Sequence, residues 1–143
     1  MPDINYFAVV AAAISAMVIG ALWYGPLFGK AWVRGMGWDP NDQQKMAAMK
    51  QSAGPAYLQM FVGVLLTAYV LAHVIWAYSI AAPDITGASA GVQSGLWIWL
   101  GFILPVKYGD KLWGGKAFRY VVIDLSFHLA TLMVMGVILS MWR

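Results

Sequence analysis

The stretch YFAVVAAAISAMVIGALWY, residues 6–24, carries no charged side chain. It has the length of the roughly 20 helical residues needed to cross a hydrocarbon core about 30 Å thick. It stops at Gly25-Pro26, a pair that punctuates helices. Three more runs of the same kind follow. AYLQMFVGVLLTAYVLAHVIWAYSI, residues 56–80, lies between Gly54-Pro55 and Pro83. GASAGVQSGLWIWLGFIL, residues 87–104, ends at Pro105. AFRYVVIDLSFHLATLMVMGVILSMW, residues 117–142, holds one Arg, one Asp and one His among apolar residues. The four runs and their connections use up the chain. The sequence therefore predicts an all-α fold, a four-helix transmembrane bundle forming a single domain over residues 1–143.

Composition agrees with a lipid solvent. Charged residues make up 10% and hydrophobic residues 62%, with a mean hydropathy of +0.69. A water-facing domain carries about 25% charged residues. All six acidic residues are Asp, and Cys is absent, which removes disulfides and thiolate chemistry. The start, Met1-Pro2-Asp3-Ile4-Asn5, lacks a basic n-region, and no small-x-small site follows the first run, so that run is expected to be a retained helix.

The loops set the expected orientation. Lys30, Arg34, Lys45 and Lys50 lie between the first two runs, and Lys107, Lys111, Lys116 and Arg119 lie between or just inside the last two. The connection between runs two and three holds only Asp84, and Arg143 closes the chain. Eight of nine basic residues thus share one side, and positive charge is retained in the cytoplasm. The sequence predicts a bacterial inner membrane protein with both termini outside. The net charge of +3 is membrane-side charge by this reading, and no nucleic-acid partner is expected. Trp23, Tyr24, Tyr57, Tyr108, Trp113 and Tyr120 at the inner ends, and Tyr6, Trp76, Tyr78 and Trp142 at the outer ends, read as interfacial anchors.

The first loop is long for a helix connection. Phe28 to Arg34 mixes bulky and basic residues and suits an interfacial helix. Asp39-Pro40 reads as an N-cap and first helical residue for a separate cytoplasmic helix over Pro40–Ser52, with Met46 and Met49 on one side. Tyr24-Gly25 followed by Gly29-Lys30-Ala31-Trp32 parallels Tyr108-Gly109 followed by Gly115-Lys116-Ala117-Phe118. The parallel raises two repeated helical hairpins as one reading, with coincidence in a narrow alphabet as the other.

Two stripes of small residues bear on packing. Ala8, Ala12, Ala16 and Gly20 recur every four residues, as do Gly87, Gly91 and Gly95. In lipid, close backbone approach over small residues supplies contact that the hydrophobic effect does not. One stripe is expected to close the monomer and the other to meet a neighbour.

Asp124 and His128 stand four residues apart on one face of the last helix, with Thr131 three residues further. An ionisable group at that depth is costly unless paired or facing a cavity. The pair reads either as a register-fixing hydrogen bond, with Asp124 joined to Arg119 or to neutral His128, or as a proton relay. His73 is alone on the second helix, about 10 Å offset from His128 along the normal. That offset disfavours a shared haem or metal centre and leaves His73 as a candidate lone ligand for a pigment or haem. The sequence shows no phosphate loop, nucleophile elbow, carboxylate pair or metal signature, so no catalytic residue and no metal site are predicted.

Gly20-Ala21-Leu22-Trp23-Tyr24-Gly25-Pro26-Leu27-Phe28-Gly29-Lys30-Ala31-Trp32 and Phe127-His128-Leu129, with the closing stretch Met133 to Trp142, resemble the small bacterial membrane proteins grouped as domain-of-unknown-function family 1761. The resemblance implies a four-helix integral membrane fold with His128 at a position typical of the family, and it implies no activity. The sequence reading is a non-catalytic multi-pass membrane protein, a homo-oligomer or accessory subunit of a larger complex. No cofactor is expected beyond lipid. A proton or small-solute transporter using Asp124 and His128, and a pigment or haem binder, are the alternatives.

Overall fold

The computed structural model describes residues 3–142, so Met1, Pro2 and Arg143 lie outside the described residues. Among the described residues the regular structure is all helical. Four helices are long and apolar enough to cross a membrane: Tyr6–Leu27, Gln43–Ala81, Gly87–Leu112 and Phe118–Met141. The first consists of α1 (Tyr6–Leu22) and a π-helical turn (Trp23–Leu27), and the third of α4 (Gly87–Ile98), a π-helical turn (Trp99–Ile103) and α5 (Leu104–Leu112). The others are α3 (Gln43–Ala81) and α6 (Phe118–Met141), and a short helix, α2 (Gly29–Gly35), follows the first π turn.

Helix α1 starts where Asn5 accepts from the backbone N–H groups of Phe7 and Ala8 (3.0 and 3.3 Å), satisfying donors that a helix start leaves free. Three expectations about breaks are corrected. The separate helix over Pro40–Ser52 does not exist as such: α3 is one rod of 39 residues that runs through Gly54-Pro55. Gly54 has no Cβ to strike the Pro55 ring, and both residues are exposed, so the carbonyl that Pro55 leaves unpaired faces outward. The cap is Asp42, accepting from Lys45 N at 3.1 Å, whereas Asp39 folds onto Asn41 N at 2.9 Å and closes a turn ahead of the helix. Pro105 does not end the third span either. The π turn just before it is wider by one residue, which eases the clash of the proline ring with the preceding carbonyl, and the helix resumes to Leu112.

The core mixes alanines with a few large side chains, Leu71, Ile75 and Met135 among them. Ala8, Ala12, Ala13, Ala16, Ala68 and Ala90 are buried to 2% exposure or less, while Leu58, Val62, Leu66, Trp97, Phe102 and Val106 stand more than half exposed. Small residues let helices touch; bulky ones form the outer surface. Helix α6 is the hub, packed on α1, α3 and α4, with α2 and α5 against its first half. Its closest neighbour is α4. A Cβ on Gly95 would lie 2.7 Å from the Leu132 carbonyl oxygen, and Gly91 and Gly136 face each other more tightly still.

Both small stripes therefore close the monomer, and the expectation that one serves a neighbour is corrected. Ala8, Ala12 and Ala16 are buried, and Gly20 lies 3.5 Å (as a notional Cβ) from the Phe127 ring. Gly91 and Gly95 are buried on α6. Gly87 is not on the stripe: it opens α4 at φ +58° with nothing within 4 Å. The two halves of the chain share an order of helix, π turn and later long helix. The like elements are set by Trp23 and Trp99, which begin the π turns, and not by Tyr24-Gly25 and Tyr108-Gly109, since Tyr108 lies beyond its π turn in α5.

Candidate functional site

The π turns place side chains that an unbroken α-helix would direct elsewhere. In the first, Gly25 leaves helical dihedrals (φ −100°, ψ −106°) ahead of Pro26, and Trp23 and Tyr24 turn toward α6. In the second, Trp99 turns toward the same helix, and the continuation brings Lys107 with it. The Trp23 indole donates to the Ile123 carbonyl at 3.1 Å, and the Trp99 indole donates to the Leu125 carbonyl at 2.8 Å. The two indoles thus bracket Asp124 on the α6 backbone.

Asp124 is 7% exposed, and both of its oxygens are engaged. Oδ2 lies 2.8 Å from Lys107 Nζ, and Oδ1 accepts from the Tyr24 hydroxyl. The expected partners give way here. Arg119 is exposed on the first turn of α6, and His128 Nε2 stands 4.0 Å from Oδ2, beyond hydrogen-bond range. The cluster joins the first π turn, α5 and α6 through one carboxylate. A buried ion pair of this kind is expensive to desolvate and strongly destabilising to break on one side.

Aromatic rings wall the cluster. Tyr24 meets Trp32 of α2 edge-on at 5.2 Å and Phe127 edge-on at 4.9 Å, while Trp32 stacks on Tyr120 at 6.0 Å. Phe127 in turn leans on His128 at 5.1 Å. Thr131 is buried on α6, but its hydroxyl has no hydrogen-bond partner and does not join Asp124. His73 is apart from all of this. Its Nδ1 is 2.8 Å from the Tyr69 carbonyl one turn back, and its ring lies edge-on to Tyr69 at 4.5 Å. An Nδ1–H donated to that carbonyl leaves Nε2 as the free ligand atom. Among the described residues, no three His or Asp side chains gather as a metal site would require.

Sequence reasoning missed Lys107, Tyr24, Trp23, Trp99 and Gly136. In the sequence Lys107 reads as a loop charge because Pro105 reads as a stop, Trp23 and Tyr24 read as headgroup anchors, and Trp99 has no assigned role. The signal for Gly136 was present: Leu132, Gly136 and Ser140 follow one face of α6 at four-residue spacing, and Gly136 is the only glycine in that helix.

Chemically, the cluster can hold three segments in register, and its carboxylate is the one acidic group buried among them that could exchange a proton. No curated protein matches the chain, and no solved structure does. A family model does match, over residues 7–140, which takes in all of the four spans but Tyr6 and Met141 and every residue of the cluster: the chain belongs to the family described as Protein of unknown function (DUF1761).

Proposed function

We propose that the chain is a non-catalytic, multi-pass protein of the bacterial inner membrane, with both termini outside, that works through contact with other membrane helices as a homo-oligomer or as an accessory subunit. The observation that carries this reading is on α3. Gln59, Gly63 and Thr67 recur at four-residue spacing on an exposed face, flanked by exposed Val62, Leu66 and Val70. A Cβ on Gly63 would meet nothing within 4 Å, so no contact inside the monomer calls for a glycine there. The Thr67 hydroxyl donates to the Gly63 carbonyl at 3.0 Å, which leaves its lone pairs and the Gln59 amide to bond across a helix–helix contact where backbones approach over Gly63.

The absence of Cys makes the test clean. Thr67→Cys in native membranes, treated with a mild oxidant, is expected to give a covalent dimer or a crosslink to a co-purifying subunit. Phe102→Cys, on a bulky exposed face, is expected to give neither. Equal yields at the two positions, or none at Thr67, would refute the reading.

A second reading is proton-coupled transport. It is favoured by His128 standing 4.0 Å from Asp124 with 24% of its side chain exposed, so the ion pair has a titratable neighbour that is not sealed in. Proton flux in proteoliposomes is the test, and equal flux from the native chain and His128→Ala would reject it.

A further inference from the structure

Helices α1 and α3 touch along only part of their length. Their buried contact residues end at Ala16 on α1 and Val64 on α3. Beyond that level α1 offers Gly20 and Ala21, then leaves helical dihedrals at Gly25, while α3 runs on as one continuous helix. The two part company, and three openings follow one another in the gap. The first, about 410 Å³, is walled by Ile14, Met17, Val18 and Phe61. It shares Met17, Ala21 and Tyr57 with a recess of about 120 Å³ that reaches Gly20 and Tyr24. That recess shares Tyr24 and Tyr57 with a groove of about 510 Å³ between α2 and α3, where Trp32, Met46 and Met49 form the floor and Lys30 and Lys50 the rim. Tyr57 lines all three, so they are one crevice.

The crevice is graded from apolar to cationic. The deep end has no charged wall residue, and the shallow end has two lysines and no acid. Along α3 the distance from Phe61 to Lys50 is about 17 Å at 1.5 Å per residue, close to half of a hydrocarbon core about 30 Å thick. That is the depth of one leaflet. On the orientation proposed above, the lysines face the cytoplasmic leaflet, which is the one rich in anionic lipid.

We propose that this crevice seats one anionic phospholipid, with an acyl chain against Met17, Val18 and Phe61 and the phosphate between Lys30 and Lys50. The seat rests on the membrane reading and goes beyond it. It makes the lipid a specific ligand that fills the gap between two helices, in place of a bulk solvent. Each lysine near an anionic headgroup contributes about fivefold in affinity.

The test uses the full chain in nanodiscs of phosphatidylcholine doped with phosphatidylglycerol, with retained lipid read by native mass spectrometry. One phosphatidylglycerol per chain is expected, held in preference to phosphatidylcholine. Lys30→Gln/Lys50→Gln alters two exposed side chains and should leave helix content unchanged while cutting that preference by about 25-fold. Ala21→Leu, which fills the crevice with both lysines intact, should also empty the seat. Equal retention of the two lipids, an unchanged preference in the double variant, or full retention in Ala21→Leu would each overturn the proposal. Displacement by millimolar inorganic phosphate would assign the lysines to a free anion and overturn it too. Failure of the chain to enter nanodiscs would sink the membrane reading itself, a separate outcome.

Discussion

Replacing Gly95 by Ala should loosen the α4–α6 contact in a way the structure allows to be sized. The added Cβ would sit 2.7 Å from the Leu132 carbonyl oxygen and 2.9 Å from its carbon. Ordinary carbon–oxygen contact is about 3.3 Å or more, so the helices must separate by roughly 0.6 Å at that point. Over-packing of this order costs about 2–3 kcal/mol, and the gain in helix propensity from Gly to Ala returns about 1. The net loss is about 1–2 kcal/mol. Gly91→Ala meets the Gly136 carbonyl more closely and also the Ser140 hydroxyl at 2.6 Å, so its loss should be larger. Gly109→Ala on α5 meets nothing within 4 Å and should be neutral or gain up to about 1 kcal/mol. Thermal unfolding in one detergent, followed by circular dichroism, ranks the three. The order Gly109 above native or equal to it, then Gly95, then Gly91 is expected. A Gly91→Ala variant that melts with the native chain would show that the two backbones are not in contact and would refute the packing described here.

Lys107→Met should strand the Asp124 carboxylate. Breaking a buried pair costs about 3–5 kcal/mol, less here because the Lys107 side chain is 33% exposed; Lys107→Met/Asp124→Leu should recover most of the loss in the same melting assay. Trp99→Phe removes one indole donor from the Leu125 carbonyl and should cost about 1 kcal/mol, with a larger cost refuting a simple hydrogen-bond role. A reporter fused after residue 143 should read as extracytoplasmic, and a cytoplasmic signal would reverse the proposed orientation. Purified protein should show no Soret or pigment band; a band lost in His73→Ala would instead make the free Nε2 of His73 a ligand.

The spans were legible because hydropathy over about 20 residues is a summed signal that single substitutions do not alter. Local breaks were not legible, because Pro acts through its surroundings. Pro55 sits behind a glycine and faces outward, Pro105 sits behind a widened turn, and both helices continue. The candidate site was half legible. Asp124 was identifiable as a buried acid on α6, but its partners come from positions about 100 and 17 residues away, and both depend on π turns that no periodicity reveals. His128, four residues along the same face, was the visible neighbour and is not the bonded one.

The unbroken course of α3 has a mechanical consequence. From Gln43 to Ala56 the helix runs past the level of Tyr57 for about 20 Å, with its side chains mostly open to the surroundings. The helix stays continuous across Gly54-Pro55, where the proline costs it one backbone hydrogen bond. A tilt of 10° in the packed half would therefore sweep the free tip through about 3–4 Å. The helix works as a pointer: a change in the fit between α1 and α3, including the filling or emptying of the crevice that separates them, is carried along it toward its far end.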